Sequence, residues 1–461
     1  MLDTAPNPTV PASGRRSVPE TTAPVTASTP LRHRSPTGAI RTLGANPATA
    51  PIMLHPGDSL SGGRRALYII LLGALTALGP FTIDLYLPAF PQLEADFQTT
   101  AAAIQLTLTG TMIGFAVGQL VVGPLSDKLG RRLPLVGVTI LHVLASAAAA
   151  ISPDLITLSA ARFFMGFGAA AGGVVAMAIV RDLFGGKRLV VMLSRLALVS
   201  GVAPVLAPLL GSALLIVMPW QGIFVVLAAY GIVMLTTTLL FIPETLPPAR
   251  RHERGATTLA QRYRGVLTDR VFLGVLVIGG MAFSGLFSYL SASPFLFQDG
   301  YGFDPQAYGV LFAVNSVGVV IGVQSASRLA ARFGPQWVLA FSTAGLVVFG
   351  SAIIITDMIG LGLWGTIIPL FLFITSVGFT FPCVQVLALD RHGKAAGTAA
   401  SLLGAANFGV AGIISPLVGW ISAGAGITAT TMAVVMVGCG IVAVIALWLV
   451  VRPRTVQALT P

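Results

Sequence analysis

Asp84 is the one acidic residue that lies deep inside an apolar stretch of this sequence, residues 66–90. A charged side chain in the hydrocarbon core of a bilayer costs about 2.5–3.5 kcal/mol on insertion scales, so such residues face a protein interior or a water-filled cavity. Arg162 lies inside another apolar stretch, 155–180. With a helical rise of ~1.5 Å per residue, the two lie about 9 and 12 Å from the same boundary. They could therefore pair, and the carboxylate could exchange a proton; a static ion pair is the alternative.

Both residues are predicted to lie on transmembrane helices. The 461 residues are 55% hydrophobic and 9% charged, and the mean hydropathy of +0.87 excludes an ordinary soluble protein. A helix crosses a bilayer with about 20 apolar residues. No stretch alternates as the strands of a membrane β-barrel do. The sequence predicts an all-α polytopic membrane protein with twelve transmembrane helices, at 66–90, 103–125, 133–151, 155–180, 189–217, 222–242, 271–297, 308–327, 337–356, 361–389, 395–423 and 427–451.

The positive charge of the chain follows the predicted topology. Of the 27 Lys and Arg residues, all except Arg162 and Arg195 fall in the two termini and in every second loop. The opposite loops carry only acidic charges. This is the positive-inside pattern, so both termini are predicted to be cytoplasmic. The basic residues that give the net charge of +11 therefore set the topology of the chain in the lipid bilayer, and no nucleic-acid partner is predicted.

The twelve helices divide into two sets of six. We expect an N-terminal six-helix bundle at 66–242 and a C-terminal one at 271–451, enclosing a central cavity. A cytoplasmic linker, 243–270, joins them. Residues 1–65 are rich in Pro, Thr, Ala and Ser and are predicted to form a disordered cytoplasmic arm, and 452–461 a cytoplasmic tail.

The ten residues from Gly123 to Arg132 read Gly-Pro-Leu-Ser-Asp-Lys-Leu-Gly-Arg-Arg. This string resembles the signature of the major facilitator superfamily between its second and third helices. The resemblance implies the major facilitator fold and a charged cytoplasmic turn that latches the two halves. Asp127 would pair with Arg131 or with the start of helix eleven. The gating motif implied in this way consists of Gly123, Asp127, Gly130, Arg131 and Arg132.

Helix five carries a second motif, formed by Gly201, Pro204, Pro208 and Gly211. Small residues and two prolines permit a kinked, closely packed helix. The stretch resembles the antiporter motif of exporters in this superfamily, although Ala203 stands where a glycine is usual. Taken alone, such a stretch is more often a packing kink.

Three further strings resemble the twelve-span drug:proton antiporters. The sequence Pro-Glu-Thr-Leu at 243–246 closes helix six as it does in that family. The strings around Asp84 and at 288–295 resemble its Bcr/CflA branch of multidrug efflux transporters. Arg162 occupies the position of an arginine that takes part in proton coupling there. The resemblance implies a monomer in the bacterial inner membrane that exports drugs or other small amphipathic molecules in exchange for protons, by alternating access.

Aromatic and amide side chains are the candidates for the substrate cavity, because they offer adaptable apolar contact with occasional hydrogen bonds. For any one of them, interhelical packing is the more frequent role. No second acidic residue precedes Asp84 in helix one, which favours neutral or amphipathic substrates. The candidates are Phe81, Tyr86, Phe115, Phe287, Tyr289, Asn315 and Phe379.

Two other functions stay open at this point. A transporter of one metabolite, an amino acid or a sugar derivative, would use the same scaffold. A membrane-embedded enzyme or receptor is disfavoured because the helices contain no paired acid and base and no nucleophile motif. Cys383 and Cys439 have no second thiol or histidine at ligand spacing, so no metal site is predicted, and no cofactor is predicted either.

Overall fold

The computed structural model describes residues 57, 60–248, 251, 259–390, 392, 396–422 and 426–455. Most of the predicted disordered arm, the middle of the linker and the end of the tail lie outside the described residues. Within the described residues, twelve helices are long and apolar enough to span a membrane, so the predicted fold class is confirmed. The spans are Gly62–Asp96, Ala101–Leu129, Arg132–Ala150, Leu155–Leu183, Arg188–Val217, Trp220–Phe241, Arg270–Gly300, Pro305–Phe333, Pro335–Met358, Gly362–Asp390, Ala396–Ile421 and Ala429–Thr455.

An even number of spans puts the start of the first and the end of the twelfth on one side, here named the terminal side. The opposite side is named the distal side. Four even-numbered spans begin on the distal side with a capping side chain that accepts a hydrogen bond from an amide of the first helical turn. A cap of this kind stabilises a helix by about 1 kcal/mol. The caps are Thr100, Asp154, Asp304 and Thr428.

The first span, predicted as a transmembrane helix over 66–90, is broken in the structure. Its long helix, Gly62–Asp84, ends at Asp84. A short 3₁₀ turn, Leu87–Ala89, follows, and a second helix, Phe90–Asp96, completes the span. Proline removes a backbone donor and is tolerated in the first turn of a helix, and each of the two short elements has a proline in its first turn. The break therefore falls directly after the buried carboxylate.

The motif from Gly123 to Arg132 was predicted to form a charged turn. In the structure most of it is helical, which corrects that prediction. The helix Ala101–Leu129 includes Asp127. The turn consists of Gly130 and Arg131 only, and Gly130 has φ +95°, a conformation that favours glycine. Asp127 thus lies in the last helical turn.

The linker contains a helix, Leu259–Leu267, that was not predicted from the sequence. The hydroxyl of Tyr263 on this helix donates to the carbonyl of Leu120 in the second span, at 3.5 Å. Tyr263 also hydrogen-bonds Ser401 of the eleventh span. The linker helix therefore contacts both six-helix halves.

The two halves meet along two pairs of spans, the second with the eleventh and the fifth with the eighth. On the distal side, three glutamines hydrogen-bond across this interface. Gln105 donates to the carbonyl of Ser291 at 3.1 Å. Gln298 donates to the carbonyl of Pro88 at 3.0 Å, and Gln306 to that of Ser212 at 3.0 Å. These bonds close the distal side between the halves.

Candidate functional site

The broken first span creates a helix end inside the apolar region, and Arg162 occupies it. The carbonyl of Thr82 lies in the last turn of the helix, where carbonyls have no intrahelical donor. Arg162, on the fourth span, donates from Nη1 to this carbonyl at 2.6 Å. A cation is favoured at a helix C-terminus because the backbone dipole is negative there. Arg162 is fully buried, so the broken helix carries a buried cationic cap.

Asp84 and Arg162 do not form the direct ion pair that their depths allowed. Among the described residues no ion pair joins them. The Oδ1 atom of Asp84 and the Nε and Nη2 atoms of Arg162 are buried without a hydrogen-bond partner there. Equal depth along two helix axes does not fix how the side chains are rotated, and here the arginine is committed to the neighbouring carbonyl. The carboxylate therefore lies close to a cation that it does not bind.

Tyr86 holds the arginine from the other side. The guanidinium carbon of Arg162 lies 3.8 Å from the centroid of the Tyr86 ring, a cation–π contact. The Tyr86 hydroxyl lies 2.5 Å from the Thr107 hydroxyl of the second span. Tyr86 was predicted as a cavity residue, and the structure places it against the cation. Thr82 and Thr107 were missed, because membrane helices often use threonine hydroxyls for their own backbone.

The second half presents a neutral polar cluster towards the same place. Asn315 donates from Nδ2 to the Tyr289 hydroxyl at 3.1 Å, and its Oδ1 is buried without a partner among the described residues. The Ser293 and Tyr308 hydroxyls are 3.0 Å apart. Tyr289 and Tyr308 both lie within electrostatic range of Asp84. The predicted residues Asp84, Tyr289 and Asn315 thus come together across the halves, and Ser293 and Tyr308 join them without having been predicted.

The antiporter motif of the fifth span packs on the break in the first span. A Cβ atom at Gly211 would overlap the carbonyl oxygen of Leu85, the residue after Asp84. Pro204 and Pro208 lie inside the same helix. Nothing lies near the position of a Cβ at Gly201. Gly211 is therefore the member of the motif that touches the site.

An aromatic cluster fills the space between the halves. Phe115 of the second span lies 4.3 Å, centroid to centroid, from Phe408 of the eleventh. Phe283 and Phe287 of the seventh span pack on the same Phe408. Of the predicted cavity residues, Phe115 and Phe287 therefore meet here.

Two of the predicted cavity residues lie elsewhere. Phe81 packs edge-on against Tyr230 of the sixth span, with ring centroids 5.7 Å apart. Phe379 packs edge-on against Phe341 of the ninth span, at 5.9 Å. Neither has a ring contact with the aromatic cluster among the described residues.

The gating motif is built around Arg131. Its Nη1 atom lies 2.7 Å from the carboxylate of Asp127, and its Nε lies 2.8 Å from that of Asp182 at the end of the fourth span. Arg132 donates to the carbonyl of Leu239 at 2.6 Å. Gly123 lies beside the fourth span. The predicted pairing of Asp127 with Arg131 is present, whereas Asp182 was missed because it lies more than 50 residues further along the chain.

Glu244 caps the third span. Its carboxylate accepts hydrogen bonds from the amides of Arg131 and Arg132, at 2.8 and 3.2 Å, and from that of Leu246 at 2.9 Å. Burial alone would raise the pKa of Glu244, but the three amides and the Arg251 guanidinium outweigh it and lower the pKa below its usual value. The carboxylate thus ties the end of the first half to the gating turn.

Metal chemistry has no site in the described part of the chain. No group of three or more His, Cys, Asp or Glu side chains is placed to hold a metal ion there. Cys383 and Cys439 are both buried and unpaired. The arrangement can hold a proton or a hydrogen-bonding ligand between the two halves.

The chain is similar to known proteins of one family. The sequence profile of the Major Facilitator Superfamily matches residues 69–416. The MFS-type transporter YdgK of Bacillus subtilis is 36% identical over 369 residues, which are 80% of this chain and 91% of that protein.

Two further relatives are 30% identical to this chain. One is a bicyclomycin resistance protein homolog of Haemophilus influenzae, matched over 82% of this chain and 95% of that protein. The other is the multidrug resistance protein MdtL of Escherichia fergusonii, matched over 85% and 97%. A crystal structure of a mutant of the nucleoside transporter NupG covers 83% of this chain and 98% of its own, with a TM-score of 0.65 and 14% identity, which is a likeness of fold alone.

Proposed function

The chain belongs to the major facilitator superfamily, and on that premise we propose that it exports drugs or other small amphipathic molecules in exchange for protons. It is a multi-pass membrane transporter of small molecules, not an enzyme. The names of two relatives, a bicyclomycin resistance protein homolog and a multidrug resistance protein, support drugs as cargo. The positive-inside pattern supports a cytoplasmic terminal side.

The observation that carries the proposal is the buried carboxylate of Asp84 at the break in the first span. An ionised carboxylate without hydrogen bonds is costly to bury, and a proton removes that cost. The last residue of a helix is also an unfavourable place for negative charge. Both effects favour a bound proton while Arg162 is committed to the Thr82 carbonyl.

Release of the proton needs a change in the surroundings of Asp84. If the guanidinium of Arg162 moves from the Thr82 carbonyl to the carboxylate, it stabilises the ionised form. Access of water to the site has the same effect. A rocking motion of the two halves admits water, because it separates Tyr289 and Asn315 from Asp84. The guanidinium of Arg162 then reorients within the first half. Proton binding and substrate binding then compete, and the gradient drives export by about 2.3 kcal/mol per charge for each 100 mV.

The gating motif supports alternation between two states. Arg131, Asp127 and Asp182 tie together the terminal ends of the second and fourth spans. The three glutamine bonds close the distal side at the same time. Opening towards the outside therefore requires the glutamine bonds to break while the terminal side closes.

Transport into inverted membrane vesicles with an imposed pH gradient tests the proposal. The wild type is expected to concentrate bicyclomycin or another member of a small antibiotic panel, and to move protons in the opposite direction. Asp84→Asn is expected to abolish both uphill transport and proton movement. Asp299→Asn, which changes an exposed distal acid, is the matched control and is expected to behave as wild type.

Two outcomes would count against this function. An Asp84→Asn protein that still concentrates its cargo at the full rate and still moves protons would contradict the proton-coupling role. Protection of cells against one compound class only would favour the metabolite transporter in place of the drug exporter.

A further inference from the structure

A small pocket on the terminal side is bordered by three arginines. It lies where the first and fifth spans begin, and its volume is about 240 Å³. No carboxylate is among its described lining residues, which are Arg65, Phe184, Arg188, Val191, Met192 and Arg195. The pocket therefore concentrates positive charge beside apolar surface.

Arg195 is the unusual member of this group. The fifth span begins at Arg188, so Arg195 lies seven residues inside it. With a rise of ~1.5 Å per residue, this is about 10 Å along the helix axis. Arg195 is exposed, and none of the described residues accepts a hydrogen bond or an ion pair from it. An exposed charge at this depth calls for an anion or for water at the level of the lipid headgroups.

The other side chains give the pocket a fixed shape. Arg188, Met192 and Arg195 follow a spacing of four and three residues, so they share one face of the helix. Arg65 comes from the first span, and its Nε and Nη2 atoms donate to the carbonyl of Leu60 at 2.9 and 2.7 Å. These two bonds hold the Arg65 guanidinium in place. Val191, which is 49% exposed, offers apolar contact next to the three charges.

We propose that this pocket binds a phosphate group, supplied by the headgroup of an anionic phospholipid. Guanidinium groups bind phosphate oxygens through paired, charge-assisted hydrogen bonds. Basic pockets between transmembrane helices bind anionic headgroups in this way. The exposed side of Val191 offers an apolar surface to the glycerol and the first carbons of the acyl chains. The bound lipid holds the terminal ends of the first and fifth spans together.

The test measures lipid binding to the purified full-length protein in a neutral detergent. Phosphatidylglycerol, phosphatidylcholine and inorganic phosphate are added separately, and thermal unfolding and native mass spectrometry report stabilisation and retained lipid. Phosphatidylglycerol is expected to raise the melting temperature, and phosphatidylcholine to leave it unchanged. Inorganic phosphate at high concentration is expected to displace the anionic lipid.

Variants locate the binding to the pocket. Arg195→Gln is expected to weaken phosphatidylglycerol binding roughly tenfold, as for loss of a charged hydrogen bond. Arg195→Lys, which keeps the charge, is expected to restore part of it. Arg328→Gln removes an exposed arginine at the terminal end of the eighth span and is expected to bind as wild type.

The proposal fails if Arg195→Gln and the wild type bind phosphatidylglycerol equally. It also fails if phosphatidylcholine stabilises the protein as much as phosphatidylglycerol does, since the arginines would then serve topology alone. Stabilisation by inorganic phosphate without any by phosphatidylglycerol would overturn the lipid as the source of the phosphate group. None of these readouts depends on the cargo or on protons.

Discussion

The two halves of the molecule bring different chemistry to the same site. The first half contributes a carboxylate and a guanidinium, Asp84 and Arg162, both buried. Within the described residues, the second half contributes neutral groups to the site, among them the hydroxyl of Tyr289 and the amide of Asn315. Charge is therefore confined to one side of the interface. The rocking motion proposed above would change which groups face Asp84 and Arg162 without carrying a charge from one half to the other.

The terminal turns of the two halves show the same contrast. Gly130 and Gly334 both follow a long helix and have φ of +95° and +86°. Around Gly130, Arg131 bonds to two carboxylates. Near Gly334, Arg332 lies 5.3 Å from the ring of Phe333, and Arg328 is exposed. The backbone turn is shared, whereas among the described residues an arginine bonded to two carboxylates adjoins Gly130 and not Gly334.

After Asp84→Asn, the largest effect is expected from Arg162→Lys, which keeps the charge and removes the planar guanidinium. The cation–π contact with Tyr86 and the charged bond to the Thr82 carbonyl would both weaken, by about 3 kcal/mol together. Proton-driven transport is expected to fall about 100-fold, as measured in inverted vesicles. Arg328→Lys in the second half serves as the control. Full activity of Arg162→Lys would show that a point charge suffices.

The next effect is expected from Gly211→Ala, because the added Cβ would overlap the Leu85 carbonyl. Overpacking of this kind costs typically 1–3 kcal/mol. The free energy of unfolding, measured with a chemical denaturant in detergent, should fall by about that amount, and transport should fall with it. A Cβ atom at Gly201 in the same helix would contact nothing, so Gly201→Ala should leave the free energy of unfolding unchanged or raise it slightly. Equal effects of the two changes would contradict the packing role of Gly211.

A smaller and more selective effect is expected from Asn315→Ala. The amide of Asn315 carries no charge and is a candidate to hydrogen-bond the substrate. Loss of one or two such hydrogen bonds should raise the substrate KM roughly tenfold. The number of protons moved per substrate should stay the same. Ser327→Ala, at an exposed position of the same span, is the control. A changed proton-to-substrate ratio would place proton chemistry in the second half as well.

The smallest effect is expected from Glu244→Gln. Since the folded state lowers the pKa of Glu244, its contribution to stability is present above the pKa of an unfolded glutamate, about 4.3. That contribution is lost as the pH falls through the lowered value. Between pH 7 and pH 3, the melting temperature of the variant should fall less than that of the wild type. The difference corresponds to less than about 1 kcal/mol in the free energy of unfolding. An unchanged pH dependence would rule out the cap as a titrating group.

Much of this arrangement could be predicted from the sequence. Hydropathy located the twelve spans, and the cost of charge in hydrocarbon singled out Asp84 and Arg162. The direction in which each side chain points around its helix axis could not be predicted. The depths of the two residues allowed an ion pair, but Arg162 instead bonds the Thr82 carbonyl, a backbone group that becomes free only because the helix ends at Asp84.

Other contacts could not be predicted because no pattern in the neighbouring sequence indicates them. Ser293 and Tyr308 belong to spans where hydroxyls are common, and only their position opposite Asp84 sets them apart. Asp182 meets Arg131 through a contact between distant parts of the chain. The linker helix lies in a polar stretch, and its contacts with both halves come from tertiary packing.

The glutamine bonds that close the distal side have one more consequence. In each of the three, the acceptor is a main-chain carbonyl, of Ser291, Pro88 or Ser212. The hydrogen bond therefore sets no requirement on the side chain of the accepting residue, whereas it requires an amide at the glutamine. All three accepting residues are buried, so packing alone restricts their side chains. Covariation between the two members of each pair should therefore be weak.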